Sequence, residues 1–313
     1  MSSFQYVDVQ SFTPNSGAWT ALANVTGATQ NGNSFTLQMS SGPGPVITFL
    51  SNTAFRVRFN PNPGANLTSD ISVAVVNRNL GPVAAAVTRS ATSITIATPE
   101  ISLVINNNPY GLSVYRGNQL VHADTPTYNL VYIPGQQVVA NFKVYPANAR
   151  YVGFGEKAGS HVLKNGFTMT CFNWDNYKYV EGGVPTTGGP LNPSEPLYCS
   201  VPLLIETNPN PVNGGAYSYG LFLDNTAQSY FNVGASDYSN MYGKYYFGAL
   251  YGDLDYYFLF GATVPEVISQ YTALTGRAPL PPRYVFGFHQ GLLWLLRREH
   301  SLGHRREIGR AHV

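Results

Sequence analysis

The chain has 313 residues, 44% of them hydrophobic but only 11% charged, and a formal net charge of +2. That length suits one large or two ordinary domains, and 13% aromatic residues with so little charge argue against disorder. No basic stripe marks a nucleic-acid partner, no apolar run reaches the ~18 residues of a membrane span, and once residues 292–313 with their five Arg are set aside the body is near neutral, which suits an uncharged ligand.

Abundant Tyr, Thr, Val, Gly and Pro predict a sheet-rich protein with many turns. Met1–Gln10 lacks the basic and apolar regions of a signal peptide, so the expected location is cytoplasmic by default. Without a secretion signal, the triplets Asn24-Val25-Thr26 and Asn66-Leu67-Thr68 carry little weight as glycosylation sites. Residues 1–150 read as short strands: Phe55–Phe59, alternating apolar and basic, then Ile71–Val76, Ser93–Ala97, Ile101–Ile105, Leu112–Tyr115 and Val138–Val144. Turn signals such as Asn60-Pro61-Asn62-Pro63-Gly64 and Asn107-Asn108-Pro109-Tyr110-Gly111 separate them, as in a β-sandwich.

Residues 151–200 are rich in Gly, Asn, Pro and Tyr and lack periodicity, which predicts a long functional loop. Strands are expected again at Pro202–Ile205, Tyr219–Leu223, Ser229–Val233 and Tyr256–Phe260. One helix is legible, with Thr263 and Glu266 as a capping box, Val264, Val267, Ile268, Tyr271 and Leu274 on one face, and Gly276 just past its end. A proline linker, Pro279–Pro282, precedes Tyr284–Phe288, expected to be a buried strand. The two cysteines, Cys171 and Cys199, have no metal spacing; two buried thiols are expected, with a single disulfide as the alternative.

After Gly291 the texture changes to Leu, Arg and His. The last seven residues, EIGRAHV, back-translate into the start of a short-read sequencing adapter, and dropping one base near codon 291 permits Gly-Cys-Tyr-Gly-Tyr-Tyr-Asp instead. The expectation is a frameshift followed by adapter read-through, which sets residues 292–313 outside fold and function. A basic amphipathic helix is the competing reading.

Six marks in order resemble glycoside hydrolase family 31, and most of all its α-1,4-glucan lyase and lyase-like branch. They are Gly153-Phe154-Gly155-Glu156; Phe172-Asn173-Trp174-Asp175-Asn176; Glu195-Pro196-Leu197-Tyr198; Leu223-Asp224-Asn225 with Gln228-Ser229; Tyr251-Gly252 with Asp255-Tyr256; and Pro281-Pro282-Arg283-Tyr284 with Gly287 and Gln290. The resemblance implies an all-β fold, a galactose-mutarotase-like sandwich over residues 1–278 with one short C-terminal helix. It further implies that residues 279–291 are the linker and first strand of an otherwise missing catalytic (β/α)8 barrel, which needs eight strands to close. Retaining glycosidases use two carboxylates about 5–5.5 Å apart; the family's lie on barrel loops beyond this chain, so no catalytic residue, metal ligand or cofactor is assigned.

The implied role is the N-terminal part of an α-glucan-active enzyme: a glucosidase, glucosyltransferase or lyase acting on an α-glucan or malto-oligosaccharide, the fragment itself inert. Asp175 stands where the family places a sugar-binding Asp, and a carboxylate accepts two hydroxyl hydrogen bonds. Trp174 offers a face for a sugar ring, and Asn173 and Asn176 can add hydrogen bonds. Against these stand a turn carboxylate capping backbone amides for Asp175, core packing for Trp174 and turn formation for the two Asn. Glu156, Asp224 and Asp255 are expected to be structural, and His161 and His289 lack partners at metal spacing. A stand-alone carbohydrate-binding β-sandwich is the alternative function, though it leaves Pro281–Gly291 without a use. A structural jelly-roll protein leaves the order of the six marks unexplained.

Overall fold

The computed structural model describes residues 19–157, 162–173, 199–235 and 244–287. The chain divides into two units, Met1–Gly276 and Arg277–Val313. The first unit is built from three antiparallel sheets.

Eight strands form the largest sheet. In spatial order they are β13 (Arg150–Gly155), β15 (Ser200–Asn208), β16 (Tyr217–Leu223), β19 (Leu254–Gly261), β5 (Ala54–Phe59), β4 (Val46–Phe49), β3 (Ser34–Met39) and β2 (Val25–Asn31). A six-stranded sheet runs β1 (Thr20–Ala21), β11 (Leu130–Tyr132), β12 (Val139–Val144), β18 (Lys244–Ala249), β17 (Ser229–Asn232) and β14 (Thr168–Cys171). The third sheet runs β10 (Gln119–Ala123), β9 (Tyr110–Arg116), β8 (Ser102–Asn107), β7 (Ser93–Ala97) and β6 (Ala86–Arg89).

Alternation along β19 explains the layering. Tyr256, Phe258 and Phe260 join the main core, which also draws side chains from the other two sheets. Ring contacts mark the seams: Phe247 to Tyr256 at 5.3 Å, Phe154 to Phe231 at 4.9 Å and His122 to Phe258 at 5.2 Å. Tyr257 and Leu259 face the other way, into a second cluster with Val267 and Leu274 of helix α1 (Val264–Thr275). At its centre the large sheet is thus covered on both faces, which is why every residue of β19 is buried.

The expected strands within the described residues are present, save two. Ile71–Val76 has no ladder. The Ser72 hydroxyl instead accepts from the amides of Ala74 and Val75 and donates to Asp224, while the amides of Val76 and Asn77 donate to Leu274 O at the end of α1. Those last two bonds share one carbonyl in the last turn of the helix, which would otherwise lack a partner within it. The described part of the expected strand Tyr284–Phe288, residues 284–287, is not a strand either: Arg283–Phe286 forms a 3-10 turn, with Val285 N donating to Pro282 O and Gly287 N to Tyr284 O. A strand needs a neighbour for its ladder; here the backbone bonds locally. Residues 288–313, including His289 and the tail, lie outside the described residues, as does His161.

The helix begins after Thr263 as expected, but without the capping box. Thr263 makes no side-chain cap, and Pro265 at the second helical position has no N–H to offer one; Glu266 accepts instead from Ala262 N at 2.9 Å. Val267 and Leu274 are buried, whereas Ile268 is largely exposed. Both cysteines are free, Cys171 buried and Cys199 exposed, so the expectation of two buried thiols holds for the first alone.

Candidate functional site

The long segment after Cys171 leaves and rejoins the fold at a clamped stem. Ser200 N donates to Asn173 Oδ1 at 2.7 Å, Phe172 N donates to Ser200 Oγ at 3.2 Å, and Ser200 Oγ donates to Phe172 O at 3.1 Å. On the far side Glu156 N donates to Cys199 O at 2.7 Å. Three pieces of chain meet there: the end of β13, the end of β14 and the start of β15.

The Gly153-Phe154-Gly155 run makes this approach possible. Pairing of β13 with β15 shifts register between Gly153 and Gly155, with φ of 124° and 71° at the two glycines. A Cβ on Gly153 would lie 2.1 Å from Leu203 O, and one on Gly155 would lie 2.5 Å from Cys199 O. Only glycine tolerates both the dihedral and the contact. Glu156 is exposed, and its backbone holds the stem, as expected of a structural residue.

Beside the stem opens a cleft of about 490 Å³. Asn173 and Ser200 border it on one side, Asp224, Asn225 and Thr226 on another, and Phe222 and Tyr271 form an apolar wall, their rings 5.3 Å apart. Asp224 Oδ1 accepts from Ser72, but its buried Oδ2 has no partner. Asn225 spends its amide on Tyr251 O and Asp253 O, both at 2.8 Å. Cys171 lies at the floor, its thiol pushed up to about 11 by burial, against the weaker opposing pull of Lys157 and Ser229. The thiol is therefore protonated and unreactive near neutral pH. The cleft offers an uncommitted carboxylate oxygen and an aromatic wall, a combination suited to a hydroxyl-bearing ligand.

Of the residues singled out from sequence, Asn173 lines this cleft with its Oδ1 accepting from Ser200 N. Trp174, Asp175 and Asn176 lie outside the described residues. Asp224, Ser200 and Tyr271 were missed as cleft residues. The Asp224 signal was present in Leu223-Asp224-Asn225, but strand-end carboxylates are usually structural. Asp255 is structural: it is 4% exposed and receives Arg56 Nε at 2.7 Å and Nη2 at 2.6 Å. Among the described residues no group of three His, Cys, Asp or Glu could hold a metal ion, and no helix is long and apolar enough to cross a membrane.

Comparison with known proteins adds the following. The family model of the glycosyl hydrolase 31 N-terminal galactose mutarotase-like domain matches residues 46–232. Alpha-glucosidase 2 of Bacillus thermoamyloliquefaciens is 34% identical over 247 residues, covering 78% of this chain and 28% of that protein. A Flavobacterium johnsoniae GH31 dextranase, solved with isomaltotriose, superposes with a TM-score of 0.70 at 25% identity, covering 86% of this chain and 30% of its own. The Gracilariopsis lemaneiformis alpha-1,4-glucan lyase shares the fold at a TM-score of 0.71 and 23% identity, over 91% of this chain and 34% of its own. The chain thus spans roughly a third or less of these relatives.

Proposed function

The chain belongs to the glycosyl hydrolase 31 family, whose N-terminal galactose mutarotase-like domain it carries, and from that premise we propose that it is the substrate-side part of a longer enzyme acting on α-glucosidic bonds. Residues 1–278 form its sandwich domain. The segment after Asn173 contributes sugar contacts, with Asp175 accepting hydroxyl hydrogen bonds, Trp174 packing on a ring, and Asn173 and Asn176 at the rim. Hydrolysis, transfer and lyase chemistry remain equally compatible with this role, because the reacting carboxylates belong to the catalytic portion of such an enzyme.

The observation that carries the reading is the stem. Asn173 Oδ1 is bonded to Ser200 N, so the segment is anchored at both flanks on a rigid sheet. A binding loop on a fixed scaffold is the usual way a β fold presents ligand contacts. The test is saturation-transfer NMR of the 313-residue chain with maltotriose and isomaltotriose. Contact to at least one sugar, lost in Asp175→Ala, is expected. No contact, or contact unchanged by Asp175→Ala, overturns the assignment.

A further inference from the structure

A row of polar side chains runs through the core and touches all three sheets. Glu206 on β15 is fully buried; Tyr217 Oη donates to its Oε1 at 3.0 Å, and Tyr219 Oη lies 2.5 Å from Oε2. Tyr219 Oη is 2.8 Å from Tyr245 Oη on β18, and Tyr245 Oη is 3.3 Å from His122 Nδ1 on β10. His122 is 3% exposed, and its Nε2 has no partner. Register explains the first half of the row, since Tyr219 stands directly across from Glu206 on the neighbouring strand. The row is enclosed, so no substrate reaches it.

Each tyrosine has one proton to donate, so there are only two directions in which every bond from Glu206 to His122 Nδ1 is made. In one, protonated Glu206 Oε2 donates to Tyr219, Tyr219 to Tyr245, and Tyr245 to His122 Nδ1; the imidazole then carries its proton on Nε2. In the other, His122 Nδ1–H donates to Tyr245, Tyr245 to Tyr219, and Tyr219 to the Glu206 carboxylate.

We propose that Glu206, Tyr219, Tyr245 and His122 form a buried proton relay joining the three sheets, in which ionisation of Glu206 reverses every hydrogen bond of the row and switches His122 from its Nε2–H to its Nδ1–H tautomer. The proton count balances. The Glu206 proton passes to Tyr219, that of Tyr219 to Tyr245 and that of Tyr245 to Nδ1, while the Nε2 proton is released when the core around His122 transiently opens to solvent. One proton is lost in all, and the imidazole is neutral at both ends.

The surroundings favour a neutral ring. Burial, and then the charge of Lys143, hold His122 well below its ordinary range. Lys143 on β12 is itself committed to Asp124, with Nζ 2.7 Å from Oδ1, and it also donates to Tyr256 Oη of β19 at 3.2 Å. Asp124 further accepts from Asn141 at 2.9 Å and from Leu112 N at 2.9 Å, and Tyr110 of β9 lies close enough for that carboxylate to bear on its hydroxyl. Near Glu206, the buried Tyr151 hydroxyl of β13 also bears on the same carboxylate, and Tyr145 is engaged by Asn165. No cation is within salt-bridge distance of Glu206 among the described residues, and burial pushes its carboxyl up to about 7, although the tyrosine donors pull the other way.

The test is 15N NMR of the full chain labelled at histidine, with His122→Gln assigning the ring among the six histidines, and 13C NMR of the Glu206 carboxyl assigned with Glu206→Gln. The expected result is an exchange of the Nδ1 and Nε2 signatures at the same midpoint, near pH 7, at which the carboxyl titrates, and its loss in Tyr245→Phe. The same tautomer on both sides of that midpoint, a doubly protonated ring just below it, or a switch that survives Tyr245→Phe each overturns the relay. If Tyr245→Phe does not fold, the tautomers of the unaltered chain decide alone.

Discussion

Replacing Asp255 tests how the outer face of the large sheet is held. Arg56 and Asp255 are 5% and 4% exposed, and two hydrogen bonds of 2.7 and 2.6 Å join them in a bidentate pair. The guanidinium also lies over the Tyr257 ring at 5.5 Å. Of its other acidic neighbours, Asp224 acts only through longer-range attraction, and Asp70 stands at 3.4 Å with a side chain 73% exposed, where solvent screens the attraction. Asp255→Ala therefore leaves a buried cation with only the screened Asp70 and the longer-range pull of Asp224, a change that typically costs about 3–5 kcal/mol. Arg56→Met leaves a buried carboxylate, but Arg58 Nε is 3.6 Å away and takes up part of the charge, so a smaller loss of about 2–3 kcal/mol is expected. The double variant should lose much less than the sum, because neither charge is then stranded; a coupling of at least about 2 kcal/mol is expected. Urea unfolding of the four chains, followed by tryptophan fluorescence and circular dichroism, measures all of these. A cost below about 1 kcal/mol for Asp255→Ala, or simple additivity in the cycle, would refute the reasoning.

Gly153→Ala should destabilise by about 2–3 kcal/mol, from left-handed strain and the collision with Leu203 O, and should weaken any sugar contact of the segment after Asn173; thermal melts and the NMR binding experiment read both effects. Glu206, being raised, contributes stability that is complete below about pH 4.5 and lost as pH climbs through about 7, a total of roughly 3 kcal/mol at 1.36 kcal/mol per unit. His122, being lowered, contributes in the opposite sense, with stability complete above about pH 6.5 and lost as pH falls through its folded value. The difference in unfolding free energy between the unaltered chain and Glu206→Gln should therefore shrink between pH 4.5 and 7, and that for His122→Gln should grow; a flat difference for either counts against the effect of burial on that group. Iodoacetamide should label Cys199 in the folded chain and Cys171 only after unfolding, because the Cys171 thiol is buried and pushed up to about 11; mass spectrometry of native and urea-treated samples separates the two.

Strands were legible where a period of two was enough. Phe55–Phe59 shows both the success and the limit. Its alternation placed Phe55, Val57 and Phe59 inward correctly, yet Arg56 does not meet water, because α1 and the segment around Asp70 and Ser72 cover that face. A sequence pattern cannot reveal that a polar face is buried until its partner is known, and that partner, Asp255, is 199 residues away. Ile71–Val76 failed for a related reason: its composition is that of a strand, but a single serine hydroxyl and the open end of a helix offered its amides closer acceptors. Glu206 gave no warning at all. A lone glutamate in an apolar run reads as a surface residue, and only the register with Tyr219 shows that its acceptor sites are met from within.

The glycine motif was the more informative sign, and its physics says why. Gly153-Phe154-Gly155 was recognised as a mark of resemblance, without a mechanism. The mechanism is a forced close approach: the left-handed dihedrals turn β13 so that Phe154 enters the core while the backbone on either side presses on the carbonyls of Leu203 and Cys199. That contact sets where β15 begins, and the beginning of β15 is where Ser200 meets Asn173. A change at position 153 thus displaces the flanks of the candidate binding segment without touching any residue proposed to meet sugar. Binding should accordingly fall in Gly153→Ala while Trp174, Asp175 and Asn176 are all intact. Unchanged affinity in a Gly153→Ala chain that still folds would mean that the stem does not position the segment, and the case for sugar contact would then rest on Asp175→Ala alone.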